Sequence, residues 1–492
     1  MTSTTPPSTP HSAAPATTPS TTPGAPQTAH TPHTPAPTGT DTPSHTALDS
    51  HLAFARRMDR IDGLAHYRSR FIGIDDPHTA AAGSAGSARS AGAAAATAVT
   101  TADPRDAATP AARAGSSVVY LDGNSLGRPT RASAERIAEF ITEAWGGRLI
   151  RGWDEQWLDL PLQIGDALGA AALGAAPGQV FIGDSTTVLL YKLARAAADA
   201  RPGRTEIVLD TDNFPTDRYI VEGIAAERGL TLRWIDVDLS AGVTPEQVRA
   251  AVNENTALVL LSHVAYRSGF LADLSAITAI AHAAGALVLW DLCHSVGSVP
   301  IALDAAGVDL AVGCTYKYLN GGPGSPAFGY VRADLQDALT QPIQGWMANA
   351  DVFEMGPTFV PAGGIRRFMS GTPAILGMLA MQDTIAMIDA AGIDAVRAKS
   401  VALTEFAIAL VDDWLAPLGV TVASPRDADR RGGHVTIDHP AMRQVTAALW
   451  TQDVIPDFRA PAGLRIGLSP LSTSFVETYE GVAAIRDTLR DL

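Results

Sequence analysis

Two residues at the ends of apolar runs carry obvious chemical potential. Asp291 closes the run 286–290 (ALVLW), and Lys317 follows the run 309–314 (DLAVGC) through Thr315 and Tyr316. His294 stands three residues beyond Asp291. Strands buried on both faces read as short continuous apolar runs, and open α/β sheets bind ligands beyond the carboxyl ends of such strands. An acid and an amine delivered there form either a structural ion pair or a cradle for pyridoxal phosphate. In the second case the lysine carries the cofactor and the acid pairs with its pyridinium nitrogen.

Four further segments offer chemistry, each with a plainer alternative. Residues 183–187 (GDSTT) place small hydroxyl side chains, Thr186 and Thr187 among them, ahead of an apolar helix. That arrangement is a phosphate site made of free N–H groups and the helix dipole, or simply a helix cap. Residues 213–217 (NFPTD) follow a strand at 206–210, so Phe214 either stacks on a flat ring or belongs to a turn. Residues 262–269 (SHVAYRSG) follow another strand, and His263 reads as an ordinary polar loop residue. Arg465, between apolar neighbours in 463–470 (GLRIGLSP), is suited to a two-pronged grip on a carboxylate or to the surface. The two cysteines, Cys293 and Cys314, lack metal-type spacing and read as buried apolar residues, so neither a metal nor a disulfide framework is expected.

These residues need a scaffold to hold them, and the pattern supplies one. Apolar strands at 206–210, 231–235, 257–261, 286–290, 309–314 and 327–331 alternate with helices at 188–200, 218–228, 244–253 and 274–284, with a helix-like stretch at 301–306. Such alternation predicts a mainly parallel sheet covered by helices on both faces. Beyond residue 374 come long helices at 375–391 and 396–415, then a smaller α+β region with strands at 433–438 and 463–467. The expected organisation is a Pro/Thr/Ser/Ala-rich disordered tail at 1–47 and an N-terminal helix and arm at 48–130, interrupted by a low-complexity insertion at about 80–115. A large domain at 131–374 and a small C-terminal region at 375–492 complete it. With 492 residues, 46% hydrophobic and 18% charged, the chain can bury a sizeable core. Its formal net charge of −15, without a Lys/Arg cluster, argues against a nucleic-acid or anionic-membrane partner. No apolar run is long enough for a membrane span, no signal peptide is visible, and two cysteines suit a reducing cytoplasm.

Taken in order, the segments YLDGNSLG (120–127), LIRGW (149–153), WLDLP (157–161), DSTTV (184–188), NFPTD (213–217), DLCHSVG (291–297), TYKYLN (315–320), Gly345-Trp346 and 368–374 resemble the kynureninase family. The resemblance runs from about residue 48 to the C-terminus apart from the insertion. It implies a pyridoxal-phosphate fold-type I, aspartate aminotransferase-like architecture that hydrolyses L-kynurenine to anthranilate and L-alanine in tryptophan catabolism. It also implies roles. Lys317 would bear the cofactor and carry the proton, with Asp291 at the pyridinium nitrogen and His294 beside it. Thr186, Thr187, Ser262 and Tyr316 would line the phosphate side, while Phe214 would stack on the ring with Asp217 close by. Tyr316 would also polarise the substrate carbonyl or relay a proton. Arg465 would bind the substrate carboxylate, and Trp153, Asn124 and Ser125 would border the aromatic pocket. Trp346 and Thr372 would serve the neighbouring subunit of a homodimer. Asn349 stands where many relatives carry a histidine, and Gly371-Thr372 resembles the kynurenine-preferring bacterial form rather than the one acting on 3-hydroxykynurenine. The alternatives are another fold-type I enzyme, an aminotransferase or a cysteine desulfurase, and a non-catalytic protein of the same fold.

Overall fold

The computed structural model describes residues 45–74 and 118–492. Most of the expected tail (1–47) and the whole insertion (80–115) lie outside these residues. The helix His45–Ile61 begins slightly before the tail's expected end. It is followed by a short 3-10 turn, Ala65–Arg70.

The strands in chain order are β1 (Val119–Tyr120), β2 (Val180–Gly183), β3 (Glu206–Asp210), β4 (Thr231–Ile235), β5 (Thr256–Ser262), β6 (Leu287–Asp291), β7 (Leu310–Gly313), β8 (Ala327–Val331), β9 (Thr421–Val422), β10 (His434–Asp438), β11 (Val454–Ile455), β12 (Asp457–Arg459) and β13 (Gly463–Gly467). Seven form the main sheet in the order β2-β8-β7-β6-β5-β3-β4. β7, β6, β5, β3 and β4 pair in parallel, whereas β8 is antiparallel to both β7 and β2. Two reversals return β2 to the direction of the parallel strands, so its carboxyl end reaches the same edge. Strand β2 was not anticipated, because four apolar residues merged with the cap that follows.

Burial on both faces explains the strand sequences. Val208, Val259, Leu261, Val288, Trp290 and Ala311 join one apolar layer. Their alternating neighbours Ile207, Leu209, Leu258, Leu260, Leu287, Leu289, Leu310 and Val312 join the opposite one. A period of two divides an all-apolar strand between two helical layers.

Two helical expectations give way to tertiary demands. The stretch 301–306 forms turns, because Leu303 and Asp304 donate their N–H groups to the carbonyls of Leu173 and Gly174 instead of to a helix ladder. The helix expected over 375–391 is broken into Ile375–Met378 and Met381–Ala391.

A second sheet, β12-β13-β10-β9, is antiparallel and packs its apolar face on the helices Ile393–Trp414 and Phe475–Arg490. It is joined to the main sheet by the loop after β5. There the Nη2 of buried Arg267 donates to both carboxylate oxygens of Asp438 at 2.9 and 3.0 Å, and Thr436 donates its hydroxyl to the Arg267 carbonyl. The segment after β1 crosses between the sheets. Asp122 bridges to Gly467 of β13, and Gly127 N–H donates to the Tyr316 carbonyl at 2.8 Å. Gly127 is required there, since a Cβ would lie 2.3 Å from the Lys317 carbonyl.

Candidate active site

The parallel strands end together, and their last residues converge. Asp291 ends β6 and lies opposite Ser262 of β5 in the ladder. Lys317 follows β7, the next strand over. The Lys317 Nζ sits 2.9 Å from His294 Nε2 and 5.9 Å from the centre of the Phe214 ring, which lies just past β3. The Tyr316 ring centre is 6.0 Å from the same nitrogen.

Burial decides the charges of the groups around the lysine. His294 is held well below the ordinary histidine range by its burial and by the Lys317 cation. Being neutral, it accepts from Lys317 through Nε2, which leaves its Nδ1 hydrogen without a partner among the described residues. Asp217, at the start of the helix Pro215–Arg228, is pushed well above the carboxylate range by burial and by the charges of Asp291 and Asp210. Its Oδ2 also lacks a partner. Asp210, at the end of β3, is raised to about 7 by burial and the neighbouring Asp212. Asp291 itself accepts the Cys293 N–H at 2.8 Å, which orients the carboxylate.

The helix Thr186–Asp199 opens beside this group. Its cap is Ser185, whose hydroxyl accepts from Val188 N–H at 3.4 Å, so the hydroxyls of Thr186 and Thr187 remain on the open first turn. Asp184 supports the turn in a left-handed conformation, φ 50°. Ser262, expected on the phosphate side, donates its hydroxyl to Asn213 Oδ1 at 2.9 Å and braces the Phe214 loop.

A second cluster faces the first from the small sheet. Arg465 on β13 is 1% exposed. Its Nη1 donates to the Tyr266 carbonyl at 2.7 Å, and its Nη2 donates to Ser125 Oγ at 2.7 Å and to Asp457. Tyr266 joins the two clusters, because its ring meets Phe214 edge-on at 5.5 Å. Asn124 is fully buried with both amide atoms unpartnered. Asp122 is raised to about 6 by burial and by Asp457. Tyr266, Asp122 and Asp457 were not singled out from sequence; the only local signal was that Tyr266 lies in a loop past a strand and Asp122 in a turn-rich motif.

The remaining expected residues lie in a third group. Trp153 meets Trp157 at 5.4 Å and Trp346 at 6.4 Å, both edge-on, and Trp346 also meets Phe353. Trp346 packs beside the segment leading to Thr372, since Met347 N–H donates to the Ser370 carbonyl. Thr372 is exposed. The structure therefore brings Trp153, Trp346 and the Thr372 segment together with one another, and Ser370 ties that segment to the turn before Thr186 by donating its hydroxyl to Asp184 at 2.8 Å. Asn349 spends its amide on its own loop, donating to the Asp351 carbonyl and accepting from Val360 N–H, both at 2.8 Å. His263 is buried, edge-on to Trp290 at 5.9 Å, and lowered to about 4 by burial and Arg397, as suits a core residue. Both cysteines are buried, Cys314 N–H pointing at Cys293 Sγ across 3.2 Å.

Residues 396–485 match the family profile of the kynureninase C-terminal domain, and residues 182–300 match that of the DegT/DnrJ/EryC1/StrS aminotransferase family. A kynureninase from Pseudomonas fluorescens is 42% identical over 382 residues, spanning 76% of this chain and 89% of that protein. The kynureninase of Burkholderia pseudomallei is equally similar, 42% over 381 residues, 76% of this chain and 90% of its own. The chain belongs to the kynureninase family. Among solved structures, a cysteine desulfurase from Thermococcus onnurineus superposes with a TM-score of 0.66 at 18% identity, over 76% of this chain and 95% of its own. The cystine C–S lyase C-DES does so at 0.65 and 20% identity, over 75% and 97%. These establish this chain's architecture as that of pyridoxal-phosphate fold-type I, a mainly parallel-sheet domain with an antiparallel C-terminal sheet.

The residues present fit that cofactor. A lysine amine lies over an aromatic face beside an acid, the buried His294 Nδ1 and Asp217 Oδ2 are unpartnered, and an uncovered helix start stands at the same sheet edge. A polar aromatic ring with an anionic arm answers each of these features.

Proposed function

We propose that this chain is a pyridoxal-phosphate-dependent hydrolase that cleaves the Cβ–Cγ bond of L-kynurenine, adding water to give anthranilate and L-alanine. The observation that carries the reading is the Lys317 amine over the Phe214 ring and against His294, with Asp291 ending the neighbouring strand β6 and Arg465 buried on the small sheet, in a member of the kynureninase family.

When bound, pyridoxal phosphate supplies the electron sink that makes the bonds around the substrate's Cα and Cβ labile. Lys317 would hold it, and once freed by the substrate amine would take the Cα proton and return it. Asp291 would keep the ring nitrogen protonated, and Phe214 would fix the ring's plane. His294, neutral, has a free Nδ1 hydrogen to donate, and Asp217, protonated, can donate through its carboxyl. The first turn at Thr186 and Thr187 would receive the phosphate. Arg465 would grip the α-carboxylate, with Ser125 and Asn124 beside it. Tyr316, whose hydroxyl is kept protonated by burial, would polarise the γ-carbonyl as water adds.

The same reading places Trp346 and Thr372 at the phosphate of the neighbouring subunit in a homodimer. Trp346 is half-buried and Thr372 exposed, and their segment is tied through Ser370 to Asp184 in the turn before Thr186, which supports that role. Substrate preference is read as L-kynurenine over 3-hydroxykynurenine, in tryptophan catabolism in the cytoplasm. A desulfurase reading has little support, because both cysteines of the chain are buried just past the ends of β6 and β7, hydrogen-bonded to each other rather than carried on an exposed loop.

Mixing the cofactor-loaded protein with L-kynurenine, and separately with 3-hydroxykynurenine, should release anthranilate from the first faster than 3-hydroxyanthranilate from the second, each followed by its own fluorescence. Absence of product from both overturns the proposed activity.

A further inference from the structure

Arg465 has a donor shortage. A guanidinium offers five N–H groups, and either edge that can grip a carboxylate with two prongs uses one hydrogen of Nη2. Both Nη2 hydrogens are already committed, one to Ser125 Oγ and one to Asp457 Oδ2. Nε has no partner. A two-pronged contact with an incoming carboxylate therefore requires one of the two acceptors to leave.

The electrostatics select Asp457. It stands directly opposite Arg465 in the β12–β13 ladder, and Asp122 lies within 4.0 Å of the same guanidinium. A third carboxylate would leave one arginine facing three acids in a buried setting. Asp457 also has somewhere to go. Arg459, two residues along the same strand, has its Nε 2.9 Å from Asp457 Oδ2, in a direction that misses hydrogen-bond alignment, so a small rotation would convert that ion pair into an aligned bond. Arg459 is more exposed than Arg465, so its charge is less costly to share.

We infer that Asp457 is an exchangeable counterion. It neutralises and orients Arg465 in the empty site, and the substrate's α-carboxylate displaces it onto Arg459. Asp457 thereby keeps stray anions off a buried cation and makes carboxylate binding a swap of one ion pair for another. This rests on the reading of Arg465 as the carboxylate clamp.

The test uses the cofactor-loaded enzyme, with L-alanine as a competitive inhibitor that carries the α-carboxylate and the decarboxylated analogue of kynurenine as one that lacks it. Asp457→Asn should tighten L-alanine roughly three- to tenfold, the span of one partly screened charge contact. The analogue should move much less, so the ratio of the two inhibition constants rises. A ratio that stays put or falls in Asp457→Asn overturns the exchange, because a brace that merely orients Arg465 would weaken L-alanine when removed. The clamp reading is judged separately. Arg465→Lys should weaken L-alanine more than the analogue, and equal effects on both would refute the clamp itself. Arg459→Gln gives an independent check: with the receiving cation gone, L-alanine should bind more weakly than in the parent enzyme, and no change would also count against the exchange.

Discussion

The helix that opens at Thr186 is tied down from beneath by a lysine that takes no part in the proposed chemistry, and removing it should be costly. Lys192 is fully buried. Its Nζ donates to Asp184 Oδ2 at 3.2 Å, to Ser370 Oγ at 2.7 Å and to the Phe368 carbonyl. Ser370 in turn donates to Asp184 at 2.8 Å. The network joins the turn before the helix to the segment that leads to Thr372. Burial pushes the Lys192 amine down, and the Asp184 charge pulls it back. Replacing Lys192 with Met keeps the stem and deletes the cation, leaving Asp184 with one donor and the Phe368 carbonyl with none. Removing one member of a buried ion pair costs about 3–5 kcal/mol; with Asp184 a quarter exposed and still held by Ser370, about 2–3 kcal/mol is expected. Denaturant unfolding of the cofactor-free protein measures it, with Asp184→Asn and the double variant completing a cycle whose coupling should reach about 1 kcal/mol or more. Because the turn carries Thr186 and Thr187, pyridoxal phosphate titrated into Lys192→Met should also bind more weakly. A stability loss under about 0.5 kcal/mol, or additive single effects, would refute the argument that this network positions the turn.

Lys317→Ala should remove the visible absorption of the lysine-bound cofactor and abolish anthranilate release; a persisting band would place the attachment elsewhere. Gly127→Ala puts a methyl 2.3 Å from both the Lys317 carbonyl and Asn320 Nδ2, and should cost about 1–3 kcal/mol and displace the lysine loop, read as lost stability together with weaker cofactor uptake. Asp210 is raised from 3.8 to about 7, so the folded state favours its protonated form. Its stabilising contribution is complete below pH 4 and lost as pH rises through about 7, amounting to on the order of 4 kcal/mol across that window. Asp210→Asn should flatten this part of the stability–pH curve of the cofactor-free protein, and an unchanged slope would refute the assignment.

Much of the scaffold was legible because its signal is local. A mainly apolar run of four to seven residues is what a strand buried on both faces demands, and β3, β8 and β13 lie where those runs placed them; β4, the mostly exposed edge strand, also lies where expected. The direction of β8 was not legible, since parallel and antiparallel central strands bury the same side chains. Nor was the loss of the helix at 301–306, where the deciding acceptors, Leu173 and Gly174, are more than a hundred residues away.

The sequence by itself determined the edge on which the chemistry sits. A strand's polarity is set by its covalent order, so Asp291 and Lys317 necessarily leave their strands at the carboxyl end. Only the tertiary structure decided what faces them. Arg465 meets Ser125 across 340 positions and Tyr266 across 199, and Asp457 becomes its counterion because the register of β12 on β13 sets them opposite. Those contacts follow from how two sheets dock and how two strands align, and a one-residue slip in that register would turn Asp457 to the other face.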